Sequence, residues 1–312
     1  MYDVIILGCG PAGLAAGIYA ARERLETLLL EGPLPGGLMS TTETIENYPG
    51  FPEGISGRDL SKAMKEQAKK FGAEIVHEEA KSIKKVGDII EVRTEDNTYK
   101  AYALIVATGT VHKKLGVPGE EEFRNRGVAY CATCDAPLFS GRDVVVVGTG
   151  NSGVQEGEFL LKFVNSVTFV EFLPKMTASK ILQERIMAND RVRLLLNHEL
   201  IAINGDTMVE SVTVKDRATG EEKKINVSGV FIYAGLLPNT SLLKDLVKLD
   251  DKGYIVTNDR METSSPGIYA AGDVRPTPVR QATTAVGDGT TAALMAGMYV
   301  EEKKRKSVKS VQ

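Results

Sequence analysis

Two cysteines separated by two residues and followed at once by an acid, Cys131, Cys134 and Asp135 in "YCATCD", are the residues of this 312-residue chain best suited to chemistry. Such a pair can be half of a zinc site, a structural staple, or a disulfide that opens and closes. Zinc needs two further ligands. The chain has one other cysteine, Cys9, and three histidines (His77, His112, His198) without paired metal-ligand spacing, so no metal is expected. A staple across so short a loop removes little unfolded-state entropy. A redox pair fits better, provided an electron source lies close by to reset it after each exchange.

Two glycine motifs offer that source. "DVIILGCGPAG" from Asp3 to Gly13 and "DVVVVGTGNSG" from Asp143 to Gly153 match at an offset of 140 residues. Each opens on a β-branched run that predicts a buried parallel strand, ends in Gly-x-Gly-x-x-Gly, and leads into a helix-compatible stretch. In that setting the first glycine (Gly8, Gly148) makes the tight turn. The second (Gly10, Gly150) lets backbone approach a pyrophosphate, and the third (Gly13, Gly153) lets helix and strand pack closely. The helix N-terminus then faces the phosphates. An acid closes the next strand in both copies, Glu31 in "ETLLLEG" and Glu171 in "SVTFVEF", placed to bind ribose hydroxyls. Two dinucleotide sites on one chain imply an electron path between two dinucleotides. "ALIVATGT" (103–110) adds a buried strand, and "GIYAAGDVR" ends a later strand at Gly272 and Asp273. An Asp there suits a ribityl chain and so suggests a flavin in the first site, although a turn or N-cap aspartate has the same appearance and the motif alone does not decide between them.

Composition narrows the rest. The net charge of −3 argues against nucleic acid or an anionic membrane as partner. No apolar run approaches the ~18 residues of a membrane span. The apolar start lacks the basic flank of a signal peptide, and the low cysteine count suits a reducing, cytoplasmic setting. The basic stretch "EEKKRKSVKS" reads as a solvated terminus, and Cys9 as a small residue tolerated in the first glycine turn.

Taken together, "DVIILGCGPAGLAAGIYAAR", "GGLMSTTETIENYPGF", "ATGT", "YCATCD", "GTGNSG" and "YAAGDVR...RQATTAVGDG" resemble the low-molecular-weight thioredoxin reductases along nearly the whole chain. The resemblance implies an α/β fold of two Rossmann-like, three-layer dinucleotide-binding domains, the second inserted into the first. An FAD domain would comprise residues 1–111 and 244–312, around an NAD(P)-type domain at 112–243 that carries the cysteine pair. "GTVHKKLGVPG" and "AGLLPNTS" would be the hinges about which the inserted domain turns. FAD contacts would come from Gly8, Gly10, Pro11, Ala12, Gly13, Glu31, Gly36, Gly37, Leu38, Asn47, Thr108, Gly109, Gly272, Asp273, Arg280, Gln281 and Ala282. The pyridine nucleotide would meet Gly148, Gly150, Asn151, Ser152, Gly153 and Glu171. Cys134 would face the flavin, Cys131 would attack a thioredoxin- or glutaredoxin-like protein disulfide, and Asp135 would carry protons. Ala136 stands where the family has Gly. A homodimer is also implied.

The electron donor departs from the family pattern. NADPH-specific members carry His-Arg-Arg after the second strand of the inserted domain, whereas this chain has Glu171, Phe172 and Leu173. A carboxylate repels a 2′-phosphate and suits free ribose hydroxyls, so NADH is expected over NADPH, with Lys175 and Lys180 as partial compensation. Ferredoxin or a deazaflavin is the alternative donor, although relatives that lost nicotinamide use tend to lose the second glycine motif. A hydroperoxide-reductase flavoprotein shares this core but normally has an N-terminal extension. Ferredoxin–NADP reductases lack the cysteine pair.

Overall fold

The computed structural model describes residues 1–309, with side chains through Lys306. The chain divides into two compact units. One holds Met1–Val111 together with the stretch from Leu237 onward, and the other holds His112–Leu236. Residues 237–243, which the resemblance would place with the inserted segment, group with the first unit. The Asn239 amide donates to the Gly109 carbonyl at 3.0 Å, and Leu243 is buried with Ile5 and Leu7.

The first unit begins with β1 (Tyr2–Leu7), α1 (Pro11–Arg22), β2 (Thr27–Leu30), α2 (Gly57–Phe71), β3 (Glu74–Val76), β4 (Ser82–Val86), β5 (Ile89–Arg93), β6 (Thr98–Val106) and β7 (Thr110–His112), the last crossing into the second unit. Its sheet has the order β3-β2-β1-β6-β5-β4, parallel from β3 to β6 and antiparallel beyond. The continuous apolar run of β1 is explained by burial on both faces: Val4 and Ile6 enter one core, Ile5 and Leu7 the other.

The second unit contains β8 (Val128–Ala129), α3 (Ala132–Asp135), β9 (Asp143–Val147), α4 (Asn151–Leu160), β10 (Ser166–Glu171), α5 (Lys180–Met187), β11 (Val192–Leu196), β12 (His198–Gly205), β13 (Val209–Asp216), β14 (Glu222–Asn226) and β15 (Gly229–Ile232). Its parallel sheet runs β11-β10-β9-β15-β8, and β12-β13-β14 form a separate antiparallel sheet. Val144 and Val146 pack with residues of α4 and α5, while Val145 and Val147 pack with Leu200, Val212 and Val214 of the small sheet. Each glycine motif thus sits at the carboxyl end of a central strand, the position that doubly wound sheets give to ligands.

The chain returns through β16 (Leu236–Pro238), which pairs with β7, then β17 (Ile268–Ala270) beside β6, and ends in α6 (Ala282–Lys309). Small residues let α1 and α6 approach closely: Ala12, Ala16 and Ala20 share a core with Ala285, Ala292 and Ala296. Both units are Rossmann-like three-layer α/β domains. The basic stretch from 301 onward is not a free tail within the described residues. It continues α6, where Lys303 pairs with Asp88 and Lys304 with the buried Asp3, whereas residues 310–312 lie outside the described residues. No helix among the described residues is long and apolar enough to cross a membrane.

Candidate functional site

In the first unit the turn after β1 is dictated by space. Gly8 has φ +99°, and a Cβ there would lie 2.4 Å from the Ala107 carbonyl oxygen; a Cβ on Gly13 would lie 1.9 Å from that of Gly8. Gly10 differs. Its φ of −75° suits any residue, and nothing stands closer than 3.9 Å to its Cβ position. No packing within the protein requires a glycine there, so the open space suits a ligand. The start of α1 has no side-chain cap, unlike α2, whose Ser56 accepts from the Asp59 amide. Its free N–H groups suit a pyrophosphate.

Several of the other candidates lie against this turn, and others pair with one another elsewhere in the unit. Gly37, before the single helical turn Leu38–Thr41, lies against Gly10, with its Cβ position 3.1 Å from the Gly10 Cα. Gly272 abuts Ala12, and the Asn47 side-chain amide donates to Gln281 Oε1 at 3.0 Å. The Thr108 hydroxyl donates to the Asn239 carbonyl at 2.7 Å. Asp273 lies beyond β17, where burial raises its carboxyl pKa and Arg280 partly opposes the shift. Arg280 itself lies over the Tyr254 ring at 4.8 Å. Glu31 is buried at the end of β2, and Lys65 Nζ donates to both its oxygens at 2.7 and 2.8 Å. Cys9 is buried in the turn, and burial, with Glu31 second, pushes its thiol up to about 12. That makes it an inert packing group. These residues fit FAD.

The second unit repeats the cradle. Gly148 has φ +101°, a Cβ on Gly153 would lie 2.2 Å from the Gly148 carbonyl oxygen, and Gly150 has nothing closer than 3.7 Å. Helix α4 also starts without a side-chain cap. Asn151 Oδ1 accepts from the Ser179 amide at 2.8 Å, tying the cradle to the start of α5. The acid at the end of β10 is held differently from Glu31. Glu171 Oε2 accepts from the Thr149 amide (2.7 Å) and hydroxyl (2.6 Å), and Oε1 accepts from the Leu173 amide at 2.9 Å. A nicotinamide dinucleotide fits here.

Cys131 and Cys134 form a disulfide with Cα atoms 5.4 Å apart, at the start and within the first turn of α3. Cys131 is half-buried and Cys134 exposed; Cys131 Sγ lies 3.3 Å from Thr133 Oγ1. Asp135 closes α3, and burial raises its carboxyl above the usual range. Three further groups escape motif reading. The Ala132 amide between the cysteines donates to buried Glu156 of α4 at 3.1 Å and to the Tyr233 hydroxyl at 3.1 Å. Burial, then Glu156, holds the Tyr233 phenol well above its ordinary value. His112 lies edge-on to Tyr233 with ring centroids 5.7 Å apart, and burial lowers its pKa. In sequence, the one sign of this cluster is a carboxylate on the buried side of an otherwise apolar and glycine-bearing helix face.

The family model of the pyridine nucleotide-disulphide oxidoreductases matches residues 2–289. The thioredoxin reductase of Bacillus subtilis is 47% identical over 303 residues, covering 97% of this chain and 96% of that protein. Among solved structures, the thioredoxin reductase of Lactococcus lactis superposes with a TM-score of 0.94 at 42% identity, covering 97% of this chain and 100% of that one. That of T. acidophilum gives a TM-score of 0.91 at 43% identity, with 95% and 98% covered.

Proposed function

The chain belongs to the pyridine nucleotide-disulphide oxidoreductase family and, within it, to the low-molecular-weight thioredoxin reductases; on that footing we propose that it moves electrons from NADH, by way of FAD, to the Cys131–Cys134 disulfide and on to a thioredoxin-like protein disulfide. The observation that carries this reading is the Cys131–Cys134 disulfide, set in the unit that also holds the second open cradle. The books balance simply: a hydride brings two electrons, and with one proton it opens one S–S bond into two thiols.

FAD, when bound, supplies the two-electron step between nicotinamide and disulfide. The chain's own residues do the rest. The cradle at Gly8–Gly13 holds the pyrophosphate, Glu31 the ribose, and Asp273 the ribityl chain. Cys134 would be the thiol nearer the flavin, and Cys131 the one that attacks the partner disulfide. Asp135, whose raised pKa keeps its proton available at higher pH than an ordinary carboxyl, delivers and recovers protons at the sulfurs. Glu156 and Tyr233 fix the backbone between the cysteines through the Ala132 amide.

Glu171 supports NADH. It is a buried carboxylate at the ribose position, and the next two residues, Phe172 and Leu173, are exposed hydrophobics rather than cations. Anaerobic titration of the flavin with NADH, NADPH and reduced ferredoxin tests the donor. Bleaching by NADH at lower concentration than by NADPH is expected, and bleaching by ferredoxin alone would overturn the reading. Cys131→Ser and Cys134→Ser should each abolish reduction of a thioredoxin while the flavin stays bound. Activity retained by either variant removes the relay.

A further inference from the structure

Beside Glu171 the fold holds a cation that no motif announces. Strand β10 ends at Glu171, and Phe172, the next residue, is 49% exposed. The guanidinium of Arg217, from the turn between β13 and β14, lies 3.5 Å from the centroid of that ring. Arg217 Nη1 donates to the Phe172 carbonyl at 3.0 Å and to Asn197 Oδ1 at 3.2 Å. The backbone locks the same corner: the Asn197 amide donates to the Leu173 carbonyl, and the Arg217 amide to the Asn197 carbonyl, both at 2.9 Å. Three turns, distant in sequence, are therefore tied together at the residues that follow the ribose acid.

An exposed arginine ordinarily samples many rotamers. This one is held against a ring and by two hydrogen bonds, and both bonds use Nη1. Its Nε and Nη2 groups have no partner among the described residues. That edge of a guanidinium is the fork that takes two oxygens of a phosphate. In dinucleotide folds the group beyond the ribose acid decides between a hydroxyl and a phosphate at the 2′ position. Lys175 and Lys180, the cations nearest in sequence, show no such tether among the described residues.

We infer that Arg217 is a specificity-determining residue of the donor site, accepting the 2′-phosphate of NADPH. Resting on the reading of Gly148–Glu171 as the nicotinamide dinucleotide site, it makes donor preference a contest between Glu171, which favours free hydroxyls, and Arg217, which admits the phosphate. NADPH is then a usable second donor despite the missing basic trio.

The test measures binding of 2′,5′-ADP and 5′-AMP to the full-length holoenzyme by calorimetry, for the wild type, Arg217→Ala, Arg217→Lys and Arg217→Gln. Glutamine keeps an amide donor for the corner but removes the charge, so it separates recognition from folding. Both Ala and Gln should weaken 2′,5′-ADP at least tenfold while 5′-AMP changes less than threefold, and Lys should restore part of the loss. In turnover, KM for NADPH should rise with kcat and the NADH constants little changed. Equal weakening of both ligands, or of neither, overturns the inference and leaves the dinucleotide site standing. A wild-type protein that binds neither ligand at millimolar concentration overturns the site reading and the inference together.

Discussion

Gly10 and Gly13 stand three residues apart in one turn, yet they should fail in opposite ways when each is changed to alanine. A Cβ at Gly10 meets nothing closer than 3.9 Å, and its φ of −75° is ordinary for alanine. The apo protein should be unharmed, or stabilised by about 0.4–1 kcal/mol through the stiffer unfolded chain. The methyl would instead occupy the space proposed for the pyrophosphate. If two charge-assisted hydrogen bonds from the α1 N-terminus are lost, at about 1.5–3 kcal/mol each, FAD affinity falls by roughly 10²- to 10⁴-fold. A Cβ at Gly13 would instead lie 1.9 Å from the Gly8 carbonyl oxygen, a backbone atom that cannot swing aside. The resulting overpacking should cost the apo protein about 1–3 kcal/mol or more. Urea unfolding of flavin-stripped protein reads the first quantity, and recovery of protein-bound flavin fluorescence on FAD titration reads the second. The reasoning fails if Gly10→Ala binds FAD within threefold of wild type, or if it destabilises the apo protein as much as Gly13→Ala.

Asp135 links stability to pH. Because burial raises its carboxyl, the folded chain keeps a proton that the unfolded chain has already released, so its contribution to stability falls as pH rises from about 4 through the raised folded value. Asp135→Asn should flatten that slope in urea midpoints measured across pH and lower turnover about 10²- to 10⁴-fold, the usual range for a lost acid–base group, with the flavin still bound. An unchanged slope and unchanged turnover would remove the proton-carrying role. In the second unit, a Cβ on Gly157 would lie 2.3 Å from Cζ of the fully buried Phe169. Gly157→Ala should cost about 1–3 kcal/mol by overpacking, and adding Phe169→Leu should return part of it; a double variant no more stable than Gly157→Ala alone would place the strain elsewhere.

What sequence could show and what it could not are separated cleanly by Glu31 and Glu171, the two acids proposed to meet ribose. The 140-residue offset that pairs Gly8 with Gly148 also pairs Glu31 with Glu171 and Cys9 with Thr149. Strand, turn, helix and acid were therefore legible, because each is a local pattern with its own periodicity or glycine demand. How each buried carboxylate is satisfied was not legible, because the two copies solve that problem with different parts. In the second copy Thr149 donates both its amide and its hydroxyl to Glu171, within the motif itself. In the first copy the equivalent residue is Cys9, a weak donor, and the partner is Lys65 on α2, 34 residues beyond Glu31. The same limit hid Tyr233 and Glu156 beneath Ala132, and Arg217 beside Phe172: each reaches its place by a turn or strand far along the chain. Glu31 is salt-bridged to Lys65, whereas Glu171 has no salt bridge among the described residues, and the next residue, Phe172, carries the Arg217 guanidinium over its ring. On the proposed reading, the copy whose acid has no salt bridge among the described residues is the one at which the charge of an exchangeable donor is discriminated. A resident flavin in the first cradle and a passing dinucleotide in the second, as proposed, would ask for that difference.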